Sequence, residues 1–186
     1  MSASIRMGLL AGCAALLLSS AAEATPIDYI FTGTGTGSLN GTDFSGTFTV
    51  TEVADTSGIT SGGGEFRNTP SVATFTAGAL TATLSDPLII DNTAAPGFIG
   101  FAESVSPFSD ESLTNAVFET YGLDTALPTT SGGLSVAPAT FATSAGDLDF
   151  TTITALSFEA TVPEPTSLAL LGSALLAFGV IRRRRV

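Results

Sequence analysis

The sequence predicts an all-β protein, an antiparallel β-sandwich of jelly-roll or Greek-key-like connectivity, flanked by an N-terminal signal helix and a C-terminal transmembrane helix. Three observations carry this expectation. Between two apolar ends the chain is built from Thr, Ser, Gly and Ala punctuated by Phe and β-branched residues, a composition that favours pleated strands. Apolar and hydroxylated residues alternate with a period of two in several short runs, with little Leu-rich patterning at 3.6. Turn signals divide these runs at short intervals, as in sandwiches and barrels rather than α/β folds.

The front end reads as a secretory signal. Arg6 is followed by an apolar run over 7–18 and then by Ala22-Glu23-Ala24 before Thr25. Ala22 and Ala24 hold the −3 and −1 positions of the expected cleavage site, where only small side chains fit a leader peptidase. Leu10-Ala11-Gly12-Cys13 resembles the lipobox of bacterial lipoproteins. It comes too early in the leader, however, and the apolar run continues past Cys13. The expected division is therefore a signal peptide at 1–24, an all-β extracytoplasmic domain at 25–161, and a separate tail at 162–186.

Within the body, residues 27–53 are the clearest local structure. Asn40-Gly41 supplies the two positive-φ residues of a type I′ turn, the strongest short-range hairpin signal. Closing a two-residue loop there pairs positions whose numbers sum to 81. On one face that register sets Phe31 against Val50, Gly33 against Phe48 and Gly37 against Phe44, so that two rings cover glycines. On the other face Thr32 meets Thr49, Thr34 meets Thr47 and Thr36 meets Ser45. An apolar face and a hydroxylated face emerge together, which makes the register self-consistent. Further strands are expected at 71–76, 79–84, 87–91, 98–103, 113–121, around 134–143 and at 147–161. Turns are expected at 61–64, 91–97, 106–110 and 131–133, and no helix is expected in the body.

Charge and side-chain chemistry narrow the function. Of the 17 acidic residues, all but Glu23 and Glu164 fall in 25–162, and fifteen acids against the single Arg67 leave a formal charge of −14 there. Such a surface repels nucleic acid and anionic lipid. The chain has no Lys and no His, and its one cysteine, Cys13, lies in the leader, which removes disulfides, thiolate metal sites and the usual bases and nucleophiles. A glycosidase-type carboxylate pair is the remaining catalytic option, and nothing in the sequence brings two of the fifteen acids together. The expectation is a protein that is not an enzyme, without catalytic residues, resident metal or cofactor. Calcium is the one ion its acids would suit, at Asp147 and Asp149 on one side of an extended chain and at Asp110-Glu111 in a loop. The plainer account of those acids is a solvated strand edge that resists aggregation. The threonine rows around the hairpin would template ordered water, as in ice-binding proteins, only if they were broad. Two strands are too few, and a wet sheet face is the simpler account.

The tail is the most specific part of the sequence. Residues 166–181 carry no charge and, at ~1.5 Å per helical residue, reach roughly 24 Å against a hydrocarbon core of ~30 Å. Arg182, Arg183, Arg184 and Arg185 complete the span by snorkelling and fix the C-terminus in the cytoplasm. Just before it, Pro163-Glu164-Pro165 continues neither a strand nor a helix, leaving extended backbone that an enzyme can grip. This tripartite arrangement resembles the PEP-CTERM sorting signal of Gram-negative bacteria, which also goes under the name ice-binding protein C-terminal domain, a label for the signal rather than for an activity of the body. The resemblance implies recognition of Pro163, Glu164 and Pro165 by an exosortase, an integral membrane cysteine enzyme, and an exopolysaccharide and biofilm setting. The implied route is inner-membrane anchorage with the body in the periplasm, then processing to the envelope or extracellular matrix. A structural or adhesive body is the leading expectation. A carbohydrate- or calcium-binding module and a plain single-pass anchor are the alternatives.

Overall fold

A computed structural model describes residues 25–163 apart from 104–105 and 137–138. The expected signal peptide, with Ala22 and Ala24, and the tail from Glu164 onward lie outside the described residues. Thirteen strands fill that span: β1 (Pro26–Leu39), β2 (Thr42–Asp55), β3 (Thr60–Gly62), β4 (Glu65–Asn68), β5 (Val72–Ala77), β6 (Leu80–Thr83), β7 (Pro87–Asn92), β8 (Phe98–Glu103), β9 (Ser106–Thr114), β10 (Leu127–Ser131), β11 (Gly133–Val136), β12 (Thr140–Thr143) and β13 (Gly146–Thr161). The only helical turns among the described residues are short 3-10 pieces at Thr56–Gly58 and Ala116–Glu119. None of these is long and apolar enough to cross a membrane.

Among the described residues every strand pairing is antiparallel. One sheet runs β10-β13-β1-β2-β5-β6, with β12 also on β13, and the other runs β11-β9-β8-β7-β4-β3. The β1–β2 hairpin has the register that the Asn40-Gly41 turn dictates, Phe31 opposite Val50, Gly33 opposite Phe48 and Gly37 opposite Phe44. Asn40 and Gly41 take φ of 49° and 75°, the left-handed pair that lets a two-residue turn follow the twist of its strands. The larger sheet also curls until its edges meet. Ser144 N donates to Thr83 O and Ser85 N to Ala142 O, each at 2.8 Å, so β6 reaches β12 and one end of the sheet closes into a ring of pairings. Closure of this kind hides edges that would otherwise recruit another chain.

Phenylalanine fills the space between the sheets. Phe31 of the larger sheet stands 5.0 Å, centroid to centroid, from Phe101 of the smaller and 5.0 Å from Phe158. Phe150 carries the contact onward, 4.9 Å from Phe48 and 5.8 Å from Phe44. Tilted and edge-to-face pairs of this kind add ~0.5–1.5 kcal/mol each beyond the burial of their area. The main core is therefore built on one connected ring network in a chain with no Trp, and Leu88, Ile90 and Ala102 form a second, smaller cluster.

The structure departs from the sequence reading in several strands and one turn. The strand expected at 113–121 ends at Thr114, and the turn expected at 106–110 is the first half of β9. Asn115 ends the strand, because its side chain accepts from Val117 N at 3.0 Å and caps the 3-10 turn. The single strand expected near 134–143 is two, β11 in the smaller sheet and β12 in the larger. The expected 61–64 turn is present at Gly63 and Gly64, with φ of 65° and 83°, and closes a small hairpin whose strands β3 and β4 were not expected. β10 also forms where no strand was expected, beside the C-terminal half of β13.

Candidate functional site

Strand β13 delivers the tail. Along its last residues Leu156, Phe158 and Ala160 point into the core while Ser157, Glu159 and Thr161 face outward. Thr161 is the last paired residue, opposite Asp28 of β1, and Val162 still packs against the core. Pro163 is exposed, and having no N–H it cannot extend the ladder. The sorting triplet therefore begins where the fold stops. Of its members Pro163 alone is described. Glu164, Pro165 and Arg182, Arg183, Arg184 and Arg185 lie outside the described residues.

The other end of the body emerges at the same place. Pro26 opposes Asp55 at the end of β2, and Thr25 exchanges backbone contact with Thr56, whose N donates to Thr25 O at 3.0 Å. Because β1 and β13 are antiparallel neighbours, the entry at residue 25 and the exit at residue 163 share one pole of the sandwich. The Asn40-Gly41 turn lies at the opposite pole, held by Asn40 N donating to Asp147 O at 2.7 Å.

Beneath the exit pole lies a group of buried polar side chains. Glu52 pairs across the ladder with Tyr29, which pairs with Ala160. Tyr29 donates its hydroxyl to Leu123 O at 2.7 Å and accepts from Asn68 Nδ2 at 3.0 Å. Leu123 takes φ of 66° to present that carbonyl, a left-handed conformation costly for Leu and held here by its own complete burial. Glu52 has no accessible surface and neither of its carboxylate oxygens has a hydrogen-bond partner. Burial pushes its pKa from 4.5 up to about 8. Asp91 on β7, paired with Phe66 and Ile99, is likewise without a partner and is pushed by burial up to about 8. Burial, with the nearby Glu52 and Asp124 charges adding to it and the Asn68 bond opposing it, raises Tyr29 to about 12. Sequence reading missed these acids. A signal for Glu52 was present, since the hairpin register sets it in phase with Phe44, Phe48 and Val50.

The calcium candidates do not converge. Asp147 and Asp149 share an outward face, but Asp149 accepts from Thr140 Oγ1 at 2.5 Å and stands opposite Ser38. Asp110-Glu111 lies in β9 rather than in a loop, with Glu111 buried. Among the described residues no group of three or more acidic, Cys or His side chains is placed to hold a metal ion.

The outer face of the larger sheet is wider in hydroxyls than the hairpin alone implied. One row runs Thr81, Thr76, Thr49, Thr32, Ser157, Ser131 across six strands. Thr36 and Thr152 hydroxyls bond at 2.8 Å in another. The array is broad without being a lattice. Register breaks between Thr34 and Gly35 and between Thr36 and Gly37 shift the rows on β13, and Ile30 and Ala155 interrupt two of them.

Residues 161–185 match the family model of the PEP-CTERM protein-sorting motif. No curated protein and no solved structure matches the chain. The chain thus carries a PEP-CTERM sorting motif, which implies exosortase processing, export and sorting to the envelope. The match covers the tail and leaves the β body to be read from its own chemistry.

Proposed function

We propose that residues 25–161 form a non-enzymatic structural or adhesive module, delivered to the envelope or extracellular matrix by its tail. The observation that carries the reading is the junction at Pro163: a fold complete by Val162 hands directly to a sorting motif, and the entry of the chain lies at the same pole. In this reading the leader is removed after Ala24, residues 166–181 hold the body on the outer side of the inner membrane, and Arg182 to Arg185 stay in the cytoplasm until exosortase cuts. The adhesive surface is the hydroxyl face, where carboxylates such as Asp28, Glu159, Asp43 and Asp149 stand only toward the two ends. A neutral or weakly charged exopolysaccharide meets hydrogen-bonding groups there with little charge repulsion.

Mass spectrometry of the mature C-terminus in an exosortase-bearing host tests the sorting. The wild-type protein is expected to lose the arginine block and Glu164→Ala to retain it. Retention of Arg182 to Arg185 in both proteins identifies a plain single-pass anchor instead.

A further inference from the structure

We propose that the exit pole of the β body, and not the tail alone, is a contact surface for the processing enzyme, an acidic platform that docks on a basic rim around the enzyme's extracytoplasmic cleft. This rests on the reading of the tail as an exosortase substrate. The argument begins with reach. Val162 packs on the core and Pro163 is the next residue, so the fold and the triplet have no spacer between them. Three fully extended residues span at most ~11 Å. An enzyme surface that buries a specific contact of ~800 Å² per partner is roughly 30 Å across. A cleft closing on residues 163–165 therefore covers the pole as well.

The chemistry of that pole defines its partner. Asp28 faces outward directly opposite Thr161, at the ~5 Å separation of an antiparallel pair. Glu159 lies on the same face of β13, and Asp55 closes the end of β2. Asp124 is exposed on the loop whose Leu123 carbonyl accepts from Tyr29. No basic side chain offsets them among the described residues: Arg67, the only base there, is paired with Glu65. An anionic leaflet repels such a platform, so a bare lipid surface is the less favourable occupant and a basic protein rim the favourable one. Because Tyr29 ties the 121–125 loop to β1 and Asn68 ties Tyr29 to the end of β2, the carboxylates are presented on a rigid frame.

The test follows tail removal from the full-length precursor by pulse-chase in an exosortase-bearing host. The variants are Asp28→Lys with Asp124→Lys, the neutral pair Asp28→Asn with Asp124→Asn, and a twelve-residue Gly-Ser insertion between Val162 and Pro163. Asp43→Lys with Asp147→Lys at the opposite pole carries the same charge change as a control. Docking predicts that the near-pole reversal slows processing several-fold, that the neutral pair slows it less, and that the far-pole reversal leaves it unchanged. The insertion also slows it, since a flexible spacer lowers the effective concentration of the pole at the cleft. Equal rates for the near-pole and far-pole reversals overturn the proposal. Faster processing of the insertion overturns it too, by showing the body to be an obstacle rather than a contact. Failure of the wild-type precursor to be cut at all counts instead against the reading of the tail.

Discussion

Glu52 and Asp91 set the pH response of the body. In the unfolded chain a glutamate titrates near its ordinary value of 4.5, whereas the buried Glu52 holds its proton to about 8. Below pH 4.5 both states are protonated and burial of the acid carries no ionisation cost. As the pH rises toward 8 the unfolded chain releases its proton first, and stability falls by ~1.4 kcal/mol per pH unit for each such group. Asp91 acts in the same direction between 3.8 and about 8. The expected outcome is a melting temperature that declines steadily from pH 4.5 to 8, with a visibly shallower slope for Glu52→Gln. A profile flat over that interval, or identical in the variant, would show that the carboxyl is not buried as placed. Self-repulsion of a −14 body adds to the decline and is separable by its sensitivity to salt, because screening acts on exposed charges far more than on a buried one.

The hairpin is the element on which the larger sheet is organised, and its glycines explain its aromatic face. A Cβ on Gly33 would overlap the Phe48 ring, and one on Gly37 would meet both Phe44 and the Asp149 carbonyl. The rings lie over bare backbone, which is how two bulky side chains fit on one face of a two-stranded ribbon. Gly33→Ala is expected to destabilise by ~1–3 kcal/mol through overpacking. Gly62→Ala, at a position with open space around it, should stay within ~0.5 kcal/mol of wild type. Urea denaturation of the two variants side by side checks both statements, and a wild-type midpoint for Gly33→Ala would refute the ring-over-glycine packing. The same register was legible in the sequence because a two-residue turn leaves only one way to zip its strands. β9 was not legible in the same way. Its first half carries Ser106, Pro107 and Asp110, residues that belong equally to a turn, and they become strand only because Ser106 pairs with Glu103 of β8 while the second half, from Glu111 on, pairs with β8 and β11.

At the scale of the molecule, two poles and one face divide the labour. Entry and exit share a pole, so in the proposed reading a body held at the membrane by either end points its Asn40-Gly41 turn away from it and leaves the hydroxyl face standing upright. That face is the proposed adhesive surface, and its contribution is measurable on the mature protein. Thr32→Val with Thr49→Val removes two adjacent hydroxyls from the six-strand row at nearly constant shape. Retention of the protein on exopolysaccharide from its own matrix is expected to fall several-fold while the melting temperature holds. Unchanged retention would move the adhesive role elsewhere on the body.

The sequence by itself determined the sorting motif, the all-β class and the register of the first hairpin. Each is written in neighbouring residues: a triplet with an apolar run and arginines, a period of two, and a turn that admits one closure. Tertiary structure decided the rest. The hydroxyl rows widened from two strands to six because β5, β6, β10 and β13, distant in the chain, aligned beside the hairpin. The exit of β13 came to lie next to the entry of β1 because the last strand pairs with the first. The charged state of Glu52 likewise followed from what covers it, since a carboxyl's proton affinity depends on the water around it and not on its place in the chain.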